Sequence, residues 1–230
     1  MNSQQHTAGT STMQLVDPPR KPFVARGSKT RRCERCRLRV DLCICAECHT
    51  VTAGSAFWLL THHNEFYKPS NTGRLILNTI AGSTSSEWAR QEPGDAFQGL
   101  LDDPALAPCI VFPFGEDYQH RMISDPVPSD GRKPVFIILD GTWRQARRMF
   151  RHSRYLDHLP VIEPEARLHS GYRLRQAIEP GQLCTAEVAI ALLQQTGDQL
   201  AAEHLASVFR LFNIRGHISR RSKMPEDILP

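Results

Sequence analysis

The sequence predicts an α/β fold on a mainly parallel sheet, with a small zinc-binding module on its N-terminal side. Three observations carry that expectation. Short branched apolar runs alternate with helical patterns along most of the chain. One of them, Val135-Phe136-Ile137-Ile138-Leu139, reads as a buried strand and passes through Asp140-Gly141-Thr142 into a helix starting near Trp143. Five of the seven cysteines crowd between Cys33 and Cys48.

Taken in order, residues 1–29 are polar, with little periodicity, and read as a mobile tail. Residues 30–50 form the cysteine module, and residues 51–230 the α/β domain. The first strand is Ala56 to Leu60, ending at Thr61-His62-His63-Asn64-Glu65. Pro69-Ser70-Asn71-Thr72-Gly73 reads as a loop into a helix or strand over Arg74 to Ile80. Cys109 to Phe112 is a second buried strand, closed by Pro113-Phe114-Gly115. The central strand and its helix follow, then Leu159 to Ile162 as a further strand. Two helices complete the pattern. One runs from about Thr185 to Gln195, with Thr185 as cap and Glu187 in the first turn. The other runs from about Asp198 to Phe212, with Ala201, Leu205, Val208, Phe209 and Phe212 as its core stripe.

No apolar run approaches the ~20 residues needed to span a bilayer. The first residues lack the apolar region of a secretory signal, so a soluble cytoplasmic protein is expected, with no membrane partner. The crowding and odd number of cysteines argue against a secreted disulfide framework. There is no Gly-x-Gly-x-x-Gly, no Gly-x-Ser-x-Gly and no phosphate-cradling glycine loop, so Rossmann dinucleotide binding and nucleotide hydrolysis lack a signature.

The net charge is +4, and its distribution matters more than its size. Arg20 to Arg39 holds nine basic residues against Glu34 alone. Arg144 to Arg154 holds five arginines and no acid, whereas Glu87 to Asp130 holds nine acids against two arginines. Two separated basic regions suit a polyanion touching two surfaces. Arg144, Arg147, Arg148 and Arg151 recur at helical spacing on one face, and Arg35, Arg37 and Arg39 stud the cysteine module. Like charges so placed repel unless an anion bridges them, and nucleic-acid phosphate is that anion.

Cys33-x-x-Cys36, followed by Cys43-x-Cys45 with Cys48 and His49 beyond, has the spacing of a closed zinc site in a reducing compartment. Spacing alone allows Cys33/Cys36 to pair with Cys45/Cys48 or with Cys43/Cys45. Asp140 has two readings. It caps the helix that follows, or it belongs to a ligand site, since open α/β sheets bind ligands at the carboxyl ends of their strands. Trp143 favours the second, because an indole in a first helical turn suits stacking on a flat ring. Polar groups at other strand ends join the candidate site: His62 and Glu65, Asn71 and Thr72, the Pro113 to Gly115 corner, and Gly171-Tyr172-Arg173.

Leu139-Asp140-Gly141-Thr142-Trp143-Arg144-Gln145-Ala146 resembles the signature of the DTW-domain proteins. The resemblance extends, in order, through Cys33-x-x-Cys36 and Cys43-x-Cys45, His62-x-x-Glu65, Pro69 to Leu75, Tyr172-Arg173-Leu174-Arg175 and Thr185-Ala186-Glu187. It implies a tRNA-uridine aminocarboxypropyltransferase. Such enzymes move the 3-amino-3-carboxypropyl group of S-adenosylmethionine to N3 of a tRNA uridine and release methylthioadenosine. It also implies a fold related to the SPOUT class, in which a C-terminal knot occurs. Cys33, Cys36, Cys43 and Cys45 become the zinc ligands. Asp140, Thr142 and Trp143 become the catalytic corner, with Asp140 as base or acceptor of the N3 proton. His62, Glu65, Asn71, Thr72, Pro113, Gly115, Asp140, Tyr172, Arg173, Thr185 and Glu187 become S-adenosylmethionine contacts. The seven arginines named above become tRNA contacts, and no DNA partner is expected. A SPOUT-like RNA methyltransferase and a non-catalytic zinc RNA-binding module are the other readings, and the oligomeric state stays open.

Overall fold

The computed structural model describes residues 30–165 and 183–220. Among these described residues, six parallel strands form one sheet in the order β2-β1-β5-β3-β6-β4. They are β1 (Ala56–Thr61), β2 (Thr84–Glu87), β3 (Leu106–Val111), β4 (Met122–Ile123), β5 (Lys133–Asp140) and β6 (Val161–Ile162). The described residues also form the α-helices α1 (Gly73–Thr79), α2 (Asp95–Asp102), α3 (Trp143–His152), α4 (Thr185–Gln195) and α5 (Gln199–Arg220). The expected α/β class and parallel sheet are therefore observed. No described helix is long and apolar enough to cross a membrane.

Strand alternation divides the core into two. Phe57, Leu59, Cys109, Val111, Phe136 and Ile138 pack with α1, α4 and α5. Trp58, Leu60, Ile110, Ile137 and Leu139 face the other way, onto Phe97 of α2 and Ala146 and Met149 of α3. Both faces of the central strands are covered, which is why β5 reads as an unbroken apolar run. Cys36, Leu38, Ile44 and Cys48 are buried in the first of these clusters, so the cysteine knuckle shares the core beneath α5.

Several elements differ from expectation. The sequence reading has no counterpart for β2, whose run Thr84-Ser85-Ser86-Glu87 is polar; among the described residues it is an edge strand, paired only with β1. α5 extends to Arg220, eight residues beyond Phe212. The N-cap of α4 is Cys184 rather than Thr185. Cys184 N–H donates to Glu187 Oε2 at 2.8 Å, the reciprocal half of a capping box, and this releases the Thr185 side chain for another partner.

The α4–α5 corner is a Schellman turn. Asp198 N–H reaches Leu193 O at 2.8 Å and Gly197 N–H reaches Gln194 O at 3.2 Å, with Gly197 at φ +79°. The Asp198 carboxylate then accepts from Gly54 N–H (2.8 Å), Ser55 N–H (3.2 Å), Ser55 Oγ (2.9 Å) and Thr196 Oγ1 (3.0 Å), fastening the corner to the entrance of β1. Burial works against this carboxylate's charge, but those donors outweigh it and hold its pKa below the ordinary 3.8. Asp198→Ala is expected to cost about 2–3 kcal/mol in urea unfolding at neutral pH. A depressed folded-state pKa stabilises above the unfolded value and fades as pH falls, so that loss should shrink below pH 3.8.

Candidate active site and metal centre

β1 and β5 end side by side, with Thr61 in register with Asp140. The cap of α3 is Thr142. Its Oγ1 accepts from Gln145 N–H at 3.3 Å, and Gln145 Oε1 accepts from Thr142 N–H at 2.7 Å. Asp140 is thus not the helix cap. It is 4% exposed and turned toward α1 and α4. Asn71 Nδ2 donates to Asp140 Oδ2 at 2.6 Å, Thr185 Oγ1 to Oδ1 at 2.7 Å, and Thr61 Oγ1 lies 3.5 Å from Oδ2. Because Thr185 opens α4, the positive end of that helix also faces the carboxylate. Three separate chain segments therefore orient one acid.

The loop before α1 is built to present Asn71. Arg74, buried, donates through Nε to Asn71 O (3.1 Å) and through NH2 to Phe66 O (3.1 Å) and Lys68 O (3.0 Å). Thr72 Oγ1 accepts from Ala186 N–H at 3.2 Å, joining the loop to α4. A Cβ at Gly73 would lie 2.8 Å from Leu59 Cδ1 and 3.2 Å from both Asn71 Oδ1 and Asp140 Oδ2. A methyl group there would press on this pair and on Leu59. Gly73→Ala is expected to disturb the Asn71–Asp140 contact and cut turnover at least tenfold while the melting temperature moves by a few degrees; unchanged kinetics would contradict it.

On the opposite side of the strand ends stands His62. Its Nδ1 accepts from Asn64 N–H at 3.4 Å and lies 3.2 Å from Gln145 Nε2. Its ring stacks on Trp88, with centroids 6.1 Å apart and planes at 19°. Burial lowers its pKa below the usual 6.5, against the pull of Glu65. Glu65 is fully buried and ion-paired with Lys68, and His63 Nδ1 lies 3.1 Å from Glu87 Oε1. Trp143 is half-buried at the first position of α3, and Thr142 is exposed. Gly115 lies against the Tyr118 ring, 2.5 Å from where a Cβ would sit, while Tyr118 donates to Pro113 O at 2.6 Å. Tyr172 and Arg173 lie outside the described residues. Gly73 beside the acid, Arg74 behind Asn71 and Gln145 beside His62 are residues that the motif reading does not single out as site residues.

The four sulfurs of Cys33, Cys36, Cys43 and Cys45 lie within 4.8 Å of one another. Cys33 and Cys45 are 3.5 Å apart and Cys36 and Cys43 3.8 Å, too long for disulfides. Tetrahedral zinc with ~2.3 Å bonds requires sulfur separations of ~3.8 Å, so the donor set fits that ion. Burial opposes the Cys33 thiolate, but backbone N–H groups of Cys36 and Arg35 and the neighbouring thiols bring its pKa to about 7. Cys48 instead donates to Ile44 O at 3.3 Å and the His49 ring lies against His204, tilted, at 3.8 Å, so the register is Cys43/Cys45. This group can hold a metal such as zinc.

Arg144, Arg147, Arg148 and Arg151 are exposed on α3. Arg35 is exposed on the knuckle, Arg37 is half-buried at φ +59°, and Arg39 is paired with Asp41. The helix and the knuckle pack against opposite faces of the sheet. A polyanion reaching both must therefore cross its edge or its ends.

These features define an α/β protein with a buried acid at the carboxyl ends of parallel strands and a four-cysteine metal knuckle. The DTW domain model matches residues 30–216, and the chain belongs to the DTW domain family. No solved structure matches the chain. Family membership is consistent with a tRNA-modifying role.

Proposed function

We propose that the protein is a tRNA-uridine aminocarboxypropyltransferase using S-adenosylmethionine as donor substrate. The observation that supports this most is the oriented Asp140 carboxylate at the end of β5, with Trp143 opening the next helix, whose outer face carries four arginines. Uridine N3 bears a proton at neutral pH and attacks poorly until it is removed. Asp140 takes that proton. The N3 electron pair forms a bond to the propyl carbon next to sulfur, the carbon–sulfur bond breaks, and its electrons neutralise the sulfonium as methylthioadenosine leaves. A methyltransferase attacks a different carbon of the same sulfonium, so orientation decides the product. Asn71, Thr72, Thr185 and Glu187 line the donor's side in this reading, with Tyr172 and Arg173 as further contacts. Trp143 stacks on the extruded base, an interaction worth ~1–3 kcal/mol. Zinc, where bound, organises the knuckle through Cys33, Cys36, Cys43 and Cys45.

The co-product tests the reaction. Purified protein with unmodified tRNA should release methylthioadenosine; S-adenosylhomocysteine instead would mark methyl transfer, and neither product would leave a binding module. The arginine row has its own test. Arg148→Glu with Arg151→Glu should weaken tRNA binding and lower the slope of log affinity against log salt by about 2. An unchanged slope would separate the row from phosphate.

A further inference from the structure

The mechanism above gives His62, at the end of β1, no role. We propose that the His62 imidazole donates from Nε2–H to a uracil carbonyl oxygen in the transfer reaction, and that Gln145 is the positioning residue that sets this tautomer. The proposal rests on the transferase reading.

Its geometric basis is independent of that reading. Gln145 is pinned by its oxygen, which accepts from Thr142 N–H at 2.7 Å and from Thr142 Oγ1 at 2.8 Å. That leaves the amide nitrogen, 3.2 Å from His62 Nδ1, as a donor. Asn64 N–H also points at Nδ1, and a backbone N–H only donates. Nδ1 therefore carries a lone pair and Nε2 carries the proton. Among the described residues no hydrogen bond to Nε2 is formed, and this nitrogen is not one of the buried unpartnered atoms. Trp88 stacks on the ring and is itself anchored at the far end of α3, where its Nε1 donates to Ser153 Oγ at 2.7 Å. Gly141 makes room for the arrangement, since a Cβ there would sit 3.0 Å from Gln145 Cβ and 3.6 Å from His62 Cβ.

His62 also adjoins the acid. Its backbone N–H donates to Asp140 O at 2.9 Å, and the two side chains leave the strand ends on opposite sides. Loss of the N3 proton spreads negative charge over the flanking carbonyl oxygens. A neutral N–H donor on one side and the proton acceptor on the other suit that charge. Preorganised donors of this kind are typically worth ~10²–10³-fold in rate.

Two measurements decide it on the full-length zinc-loaded protein. Long-range nitrogen–proton NMR of the imidazoles should show His62 as the Nε2–H tautomer at neutral pH. Gln145→Glu keeps an oxygen for Thr142 but offers Nδ1 an acceptor, so the proton should move to Nδ1. A wild-type Nδ1–H ring, or no change in the variant, overturns the positioning role. Kinetically, His62→Leu should lower kcat ~10²–10³-fold with KM values nearly constant, and His62→Gln, which restores an N–H near Nε2, should recover most of it. On tRNA containing 5-fluorouridine, whose ring fluorine stabilises the N3 anion, the His62→Leu defect should shrink at least tenfold. A defect of equal size on both tRNAs, or no defect, overturns the donor role. Wild-type protein that transfers nothing to either tRNA overturns the transferase reading itself, and the tautomer result still reports separately on Gln145.

Discussion

Asp140→Asn is expected to lower transfer by ~10²–10⁴-fold, the usual worth of a positioned general base, while leaving a folded protein that binds tRNA. The substitution is nearly isosteric, and its remaining oxygen can still accept from Asn71 or Thr185. The acid sits at the last residue of the central strand and is 4% exposed, so a larger change would test packing rather than chemistry. Three readings are needed together: single-turnover rate, tRNA affinity and melting temperature. A rate within a few-fold of wild type would remove Asp140 as the base. A collapse of the melting temperature would make it a structural carboxylate instead.

Removing zinc, or replacing Cys36 by Ser, is expected to have the largest effect on stability. Structural zinc contributes an apparent ~10–16 kcal/mol in small fingers, and that energy is folding energy. In this chain the knuckle is not a detached ornament. Cys36, Leu38, Ile44 and Cys48 are buried with Leu205, Val208 and Phe212 of α5, and Arg215 donates to Cys43 O and pairs with Glu47. Losing even ~4 kcal/mol should lower the melting temperature of a domain this size by ~8–16 °C. Chelator treatment should reproduce the effect and added zinc should reverse it. A metal-stripped protein that melts like the untreated one would contradict the assignment.

Much of the architecture was legible because it depends on local pattern. The run Val135 to Leu139 is buried on both faces, and continuous branched residues say so directly. The thiol spacing likewise announced a metal knuckle; spacing alone left Cys43 and Cys48 open, the family resemblance favoured Cys43/Cys45, and the structure gathers those four sulfurs. Partnerships were not legible where they span long separations. Asn71 and Thr185 reach Asp140 from 69 and 45 residues away. No local rule could therefore decide whether the acid capped α3 or faced α1 and α4. The α4 cap misled for a chemical reason: Thr185 is the favoured cap type, yet the less usual Cys184 takes the position and leaves Thr185 to the acid. β2 was missed because an edge strand can be polar. Gln145 was hidden among arginines, and its capping box with Thr142 follows the Thr-x-x-Gln spacing that would have found it.

The central claim is that this site transfers an aminocarboxypropyl group to uridine N3. Mass spectrometry of nucleosides from unmodified tRNA, incubated with the purified protein and S-adenosylmethionine, tests it most directly. The account predicts one uridine gaining the mass of that group, and none with the Asp140→Asn protein. A uridine gaining only a methyl group, or tRNA bound but unaltered, would contradict it.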